Sequence, residues 1–119
     1  MKYETKDSGK REVSESGYNR DVQEDKPRFD LMIPTNIPYE ETLIYRWAML
    51  MTRGAVKYGE GNFMLANTEQ DLKRFKSSAC RHFFQFLSGL EDEDHLAAVL
   101  FNLNGYVMVK YLLRLDKSE

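Results

Sequence analysis

Apolar residues recur at three- and four-residue spacing along three stretches of the chain, and this pattern predicts a helical fold. In the first stretch the apolar stripe consists of Leu43, Trp47, Leu50, Met51 and Gly54. We predict that this helix begins near Pro38, because proline suits the first helical position, and ends around Tyr58, before Gly59 and Gly61.

The second helix is predicted from a start signal followed by an apolar face. Thr68 and Asp71 have the spacing of a capping box, in which each side chain satisfies a backbone N–H at the helix start. The inner face that follows consists of Leu72, Phe75, Ala79, His82 and Phe86. Ser88 and Gly89 are expected to end this helix.

A third helix is predicted from about Glu93 to Leu115, antiparallel to the second because the connection between them is short. Its main stripe consists of Leu96, Val99, Leu100, Leu103, Tyr106, Val107, Lys110 and Leu113. Ala97, Phe101 and Val109 make the opposite side apolar too, so this helix should be buried on more than one side. The predicted fold is all-α: an antiparallel bundle of about three main helices, completed by assembly into a homodimer or a larger oligomer.

The N-terminal part of the chain has a different composition from the rest. Residues 1–26 are polar and carry almost no aliphatic side chains, which is typical of a flexible arm. We therefore divide the chain into an extended, partly flexible polar arm, residues 1–26, and a single all-α domain, residues 27–119.

Composition and charge exclude several classes of function. A chain of 119 residues forms one domain, and its 42% hydrophobic and 30% charged residues describe an ordinary globular protein. The net charge of −2 disfavours binding to nucleic acid. The longest uncharged run, Leu96–Val109, is too short to span a bilayer, and Cys80 is expected to be a buried thiol in a reducing compartment. The predicted location is the cytoplasm, with no membrane partner.

The groups most able to hold a metal or move a proton are concentrated between Ala79 and Asn102, where four consecutive acids, Glu91 to Asp94, precede the third helix. These acids could form a solvated turn stabilised by the helix dipole, or they could bind Mg²⁺ or Mn²⁺ through oxygen. Asp94, position 98 and Asn102 fall within about 80° of one helix face, so this face could also orient a base or ribose.

Both histidines of the chain lie in the same stretch, and each has two interpretations. His82 belongs to an apolar stripe, so it is either a satisfied core histidine or a group that orients an acid or touches a substrate. His95 could be a metal ligand, a general base or a surface group. The histidine spacing of zinc hydrolases is absent.

Basic side chains form a third set of candidates. Arg53, Lys57 and Arg81 could meet near one end of the bundle, with Asn62 in the adjoining loop, and together they would neutralise a polyphosphate. The alternative is that they are separate surface charges. No Walker-type glycine-rich loop accompanies them.

Three motifs in this order resemble the phage dATP/dGTP diphosphohydrolase family, which is related to the all-α MazG-like nucleoside triphosphate pyrophosphohydrolases. The motifs are SGYNRDVQEDKPRFDL, RGAVKYGEGNF and SSACRHFFQFLSGLEDEDHLAAVLFN, and the resemblance covers about residues 16–106. It implies cleavage between the α and β phosphates with a divalent metal, in helical dimers or tetramers that have their sites at subunit interfaces. If the protein is phage-encoded, its location would be the host cytoplasm.

The resemblance also places roles on individual residues. The Gly-x-Glu-Asp-x-Asp-His motif falls on Glu91, Asp94 and His95, which are the expected catalytic residues, with Glu91 and Asp94 as ligands of Mg²⁺ (or Mn²⁺). The resemblance also covers Lys57, Asn62, Arg81 and His82. Together with Arg53 from the basic set and Asn102 from the third-helix face, they are the expected substrate-binding residues. Many relatives have a histidine where this chain has Ala98, and the paired Glu-x-x-Glu motif of the MazG-like enzymes is not evident here.

These observations favour a metal-dependent pyrophosphohydrolase that converts a purine (deoxy)nucleoside triphosphate to the monophosphate and pyrophosphate. Glu91 and Asp94 would hold the metal, and His95 or another acid of the cluster would align the water. Because Ala98 replaces a histidine, a phage protein that binds or sequesters a nucleotide without cleaving it stays open as an alternative. A third interpretation is a helical oligomer with an acidic surface and no ligand.

Overall fold

The computed structural model describes residues 3–22 and 25–118. The chain divides into two compact units, Met1–Met32 and Ile33–Glu119. In the first unit, strands β1 (Arg11–Val13) and β2 (Asn19–Asp21) form an antiparallel hairpin with Arg11 opposite Asp21. This hairpin was not predicted, because five of its six strand residues are polar and the strands show no alternation of apolar and polar positions.

Helix α1 spans Leu43–Tyr58, so the predicted start near Pro38 is wrong. Tyr39–Glu41 instead form a short 3-10 turn, and the side chain of Thr42 accepts a hydrogen bond from the backbone N–H of Tyr45. Threonine is a preferred N-cap residue, and this cap places the start of the α-helix after the 3-10 turn. The predicted end is confirmed, because Gly59 follows the helix with a φ of 94°.

Helix α2 spans Glu69–Leu87 and begins as predicted. The Thr68 hydroxyl accepts from the Asp71 N–H at 3.1 Å, and the Asp71 carboxylate accepts from the Thr68 N–H at 3.1 Å, which completes the capping box. Gly89 follows the helix in a left-handed conformation, with a φ of 79°.

Helix α3 spans His95–Ser118 and packs against both α1 and α2. His82 near the end of α2 contacts His95 at the start of α3, whereas Phe75 near the start of α2 contacts Phe101, so these two helices are antiparallel, as predicted. A Cβ on Gly105 would lie 2.4 Å from the Phe75 ring, so only glycine permits this close approach. The second unit is therefore an all-α bundle with α3 at its centre.

The buried side of α3 differs in part from the predicted stripe. Leu103 and Val107 are exposed, whereas Ala98, Asn102 and Val109 are buried on the side that faces the other helices. The predicted stripe followed the repeat of leucine and valine residues. The close packing of α3 against α2 instead favours small residues on the buried side. Cys80, expected to be buried, is exposed.

Large apolar side chains remain exposed on the bundle, and α3 is apolar over much of its length. The segment His95–Leu115 is long and apolar enough to cross a membrane by length and composition alone, a test that the core helices of soluble proteins also pass.

Candidate active site

The first side chain of the site is Asp94, which is fixed where α3 begins. Its Oδ1 accepts a hydrogen bond from the backbone N–H of Ala97 at 3.2 Å, which is the position of an N-cap acceptor. Arg46 of α1 donates to both carboxylate oxygens, at 2.8 and 2.6 Å. These hydrogen bonds, those from Arg46 above all, hold the pKa of Asp94 below its usual range, so the group is an anion already engaged with a cation.

The two histidines form the centre of a hydrogen-bonded chain. His82 and His95 are buried, and their Nδ1 atoms lie 2.9 Å apart. The Nη2 atom of Arg81 lies 3.3 Å from His82 Nε2, and His95 Nε2 lies 2.8 Å from an oxygen of Asp92. The two ends of this hydrogen-bonded series are therefore groups with a fixed role: the Arg81 guanidinium only donates, and the Asp92 carboxylate only accepts.

These fixed ends assign the proton on each ring. Arg81 must donate to His82 Nε2, so His82 carries its proton on Nδ1 and donates it to His95 Nδ1. His95 then carries its proton on Nε2 and donates it to Asp92. Burial, and next the charge of Arg81, lower the pKa of His82, which agrees with a neutral ring. The hydrogen bond from His95 lowers the pKa of Asp92.

A cleft of about 720 Å³ lies between the helices beside these residues. One set of its lining side chains is basic and consists of Arg53, Lys57, Arg74 and Arg81. A second set is acidic and consists of Asp92, Glu93 and Asp94. Cations and carboxylates that face one cavity suit a ligand that carries phosphates together with a cation.

The structure brings most of the predicted site residues to this cleft. Those that line it are Arg53, Lys57, Arg81, His82, Asp94 and Asn102. Ala98 lines it as well, so Asp94, position 98 and Asn102 share one wall, as the helical spacing indicated. The amide nitrogen of Asn102 donates to the Ala98 carbonyl at 2.8 Å, which orients this buried side chain.

The other predicted site residues lie elsewhere. His95 is only 3% exposed and reaches the cleft through its hydrogen bonds to His82 and Asp92. Asn62 lines a neighbouring apolar cavity. Glu91 is exposed and lines none of the cavities described here, so its role as a metal ligand stays a prediction.

Sequence reasoning missed Arg46, Arg74, Asp92 and Glu93 as individual site residues. Arg74 could have been found, because it precedes Ser78 and Arg81 at helical spacing and all of them line the cleft. The two acids were noticed only as members of the acidic run. Arg46 gave no signal, since its partner Asp94 lies 48 residues away.

A second group of side chains could hold a metal in a different way. One ligand atom each of His82, Glu93 and His95 lie within 4.8 Å of one another. Two imidazole nitrogens and one carboxylate suit a transition metal such as zinc better than they suit Mg²⁺. The ligating nitrogens must carry no proton, so metal binding here would compete with the hydrogen bonds that the two rings now form.

The bundle and its charged cleft define a class of protein: a small all-α protein whose cavity suits a phosphorylated ligand. Comparison with known families gives the particular family, because the family described as dATP/dGTP diphosphohydrolase, N-terminal, matches residues 16–114. The chain belongs to this family. No curated protein and no solved structure matches the chain. The family name denotes a nucleotide hydrolase, and the match is to its N-terminal part.

Proposed function

We propose that this protein is a metal-dependent pyrophosphohydrolase of purine deoxynucleoside triphosphates. The substrate would be cleaved between the α and β phosphates to give the monophosphate and pyrophosphate. The observation that carries the proposal is the cleft between the helices, which is lined by both basic and acidic side chains, and the family description supports a nucleotide as the ligand.

The basic side chains of the cleft would bind the phosphates. Arg53, Lys57, Arg74 and Arg81 line it together, and each offers N–H donors to phosphate oxygens. Negative charge builds up on the leaving pyrophosphate as the bond breaks, so fixed cations stabilise the transition state more than the ground state. Arg81 has a second role, because its guanidinium also donates to His82.

The acidic side chains fit a resident Mg²⁺ or Mn²⁺, since these ions prefer carboxylate oxygens. Glu93 is the best available ligand: its carboxylate lines the cleft and forms no hydrogen bond within the described part of the chain. Asp94 would join it only by sharing oxygens that now accept from Arg46. When bound, the metal would polarise the phosphates and lower the pKa of a water molecule.

In the proposed reaction, Asp92 would take a proton from the attacking water. It lines the cleft, and the His95 hydrogen bond fixes one of its oxygens at 2.8 Å. Water oxygen would bond to the α phosphorus, the water proton would pass to Asp92, and the bond to the bridging oxygen would break with release of pyrophosphate. In this scheme His95 orients Asp92 and does not itself touch the water, because it is buried.

The proposal predicts the products and the effect of one substitution. Incubation with each deoxynucleoside triphosphate and Mg²⁺ or Mn²⁺, followed by ion-exchange analysis, should give monophosphate and pyrophosphate from the purine nucleotides. Asp92→Asn should lower kcat by about 100-fold or more, because an amide cannot accept the water proton. Asn still accepts the His95 hydrogen bond, so circular dichroism should show an unchanged fold.

A conservative substitution outside the cleft serves as the control. Asp30→Asn, in the N-terminal unit, removes the same carboxylate charge and should leave kcat unchanged. Release of inorganic phosphate from the γ position, or full turnover by Asp92→Asn, would contradict the proposed reaction or the role of Asp92.

A non-catalytic nucleotide-binding protein is the second candidate. Two observations favour it: both oxygens of Asp94 are taken by Arg46, and Ala98 gives the cleft wall no titratable group at that position. The product assay, combined with a measurement of the Tm in the presence of the nucleotide, separates the two candidates. Unchanged nucleotide that nonetheless raises the Tm would support the binding protein.

A further inference from the structure

A second cavity of about 310 Å³ adjoins the charged cleft and has a different chemical character. Apolar and aromatic side chains make up most of its lining, among them Met51, Ala55, Phe63 and Phe101. The amide of Asn62 is one of its few polar groups. Ligand cavities usually exceed about 300 Å³, so this one is of a size that suits a single heterocycle.

The two cavities share a wall. Leu50, Gly54, Tyr58 and Phe101 line both of them, so a molecule bound in one lies next to the other. Phe63 and Phe101 meet edge to face, with ring centroids 6.1 Å apart, which gives the apolar cavity a rigid aromatic side. A ligand that fills both cavities must therefore have an apolar, planar part joined to an anionic part.

We propose that the apolar cavity binds the base of the nucleotide whose phosphates occupy the cleft, an inference that rests on the proposed function. Aromatic and aliphatic side chains cover the faces of a planar base, and stacking of this kind tolerates different bases. Polar groups for the base edge come from the Asn62 amide, which offers both a donor and an acceptor, and from the Glu60 and Tyr58 side chains that line the same cavity.

Gly54 keeps the space between the cavities open. A Cβ added at this position would meet no atom within 4 Å, so a side chain here would extend into the open space. Glycine inside a helix is less stable than alanine, which means that Gly54→Ala should fold at least as well as the natural chain. A larger side chain at this position should occupy the room that the base needs.

The experiment measures binding by calorimetry with Mg²⁺ and two probes, an α,β-methylene purine deoxynucleoside triphosphate and inorganic tripolyphosphate. The natural chain should bind the nucleotide analogue at least about tenfold more tightly than tripolyphosphate, because only the analogue has a base to stack. Ala55→Leu should lose this difference while its affinity for tripolyphosphate stays within about twofold, and Gly54→Leu should weaken binding of the nucleotide analogue. Ala55 lines only the apolar cavity, so its variant tests that cavity alone.

Val56→Leu is the matched control, since Val56 lies on the same helix, is 86% exposed and lines neither cavity. It should bind both probes as the natural chain does. Equal affinity of the natural chain for the two probes would overturn the proposal without any variant. Full nucleotide affinity in folded Gly54→Leu and Ala55→Leu would overturn it as well. The analogue cannot be cleaved between its α and β phosphates, so these affinities test the base pocket independently of catalysis. Failure of hydrolysis in the product assay would refute the proposed enzyme activity but not the base pocket.

Discussion

Asp94 has two structural roles that compete with a role in chemistry. Its carboxylate accepts from the Ala97 N–H at the start of α3 and from Nε and Nη2 of the Arg46 guanidinium. A bidentate pair of this kind fixes the carboxylate more firmly than a single hydrogen bond does. Any metal at Asp94 must therefore compete with Arg46, which makes the strength of this ion pair the first quantity to measure.

Replacement of Arg46 by alanine should lower the free energy of unfolding by about 1 kcal/mol, because the pair is partly exposed and only part of its attraction escapes solvent screening. The Arg46 and Asp94 side chains are 37% and 21% exposed. Asp94→Asn keeps a good N-cap residue, so it removes mainly the ion pair. Urea unfolding of both single variants and the double variant measures their coupling energy.

Arg46→Lys is the matched control, because it keeps the charge and loses the two parallel donors. It should fall between the natural chain and Arg46→Ala. Strict additivity of Arg46→Ala and Asp94→Asn would contradict a stabilising pair.

For single residues, the sequence predicted which side chains belong to the site better than it predicted their hydrogen-bond partners. His82, Arg81 and Asn102 were named as candidates because polar groups on helix faces stand out in a repeating pattern. The Arg46–Asp94 pair and the alternating donors and acceptors of the histidine chain depend on how α1 and α2 pack on α3. Contacts between different helices leave no local trace in the spacing of residues.

The starts of α1 and α2 show how far local hydrogen bonds determine where a helix begins. Thr68 and Asp71 satisfy each other's backbone N–H groups, and the Asp71 carboxylate also accepts from the Asn67 N–H at 2.9 Å. This start was predictable because all the groups involved are within five residues. The start of α1 was not, since proline at 38 and threonine at 42 both favour a helix start and Thr42 prevails through its hydrogen bond to Tyr45.

The capping box gives a pH dependence with a defined sign. Backbone N–H donation from Asn67, then the hydrogen bonds with Thr68, hold the pKa of Asp71 below its usual range. The Asp71 carboxylate therefore stays ionised to a lower pH in the folded state than in the unfolded state. The stabilisation that this carboxylate gives is full above the ordinary pKa of about 3.9, and it is lost as the pH falls through the lowered pKa of the folded state.

Comparison of the natural chain with Asp71→Asn checks this prediction. The Tm of the natural chain should fall faster than that of Asp71→Asn as the pH decreases from about 5 to 2, because only the natural chain loses a carboxylate at the cap. Parallel curves for the two proteins would contradict the assignment. Glu69→Gln, on the same first turn, removes a charge outside the capping box and should follow the natural chain.

The bundle as a whole buries little large apolar surface among the residues that the structure describes. The hydrophobic residues buried in it are mostly small: Ala79, Ala97, Ala98 and Val109. Phe84 and Leu87 on α2 are 69% and 63% exposed, and Val107 on α3 is 64% exposed. Phe84 and Leu87 are three residues apart on one face of α2, and contiguous exposed apolar surface is typical of a protein–protein or membrane contact.

The all-round apolar character of α3 led us to predict a second subunit from the sequence, and this stays a prediction. The fold class was predictable because helical periodicity and caps are local properties. A subunit interface depends on the shape of a surface formed by two helices, which a single sequence does not specify. The exposed aromatic side chains of α2 now show where to test it.

We expect the chain to form a homodimer or homotetramer through the apolar surface that includes Phe84. A stable interface buries about 800 Å² per partner, and a charge at its centre without a partner is strongly unfavourable. Phe84→Glu should therefore shift the protein to monomers in sedimentation equilibrium and make its Tm independent of protein concentration. Gln70→Glu, an exposed position in the first turn of α2, adds the same charge and should leave the oligomer intact. A natural chain that sediments as a monomer would refute the oligomer, and flotation of that monomer with phospholipid vesicles would assign the apolar surface to a membrane instead.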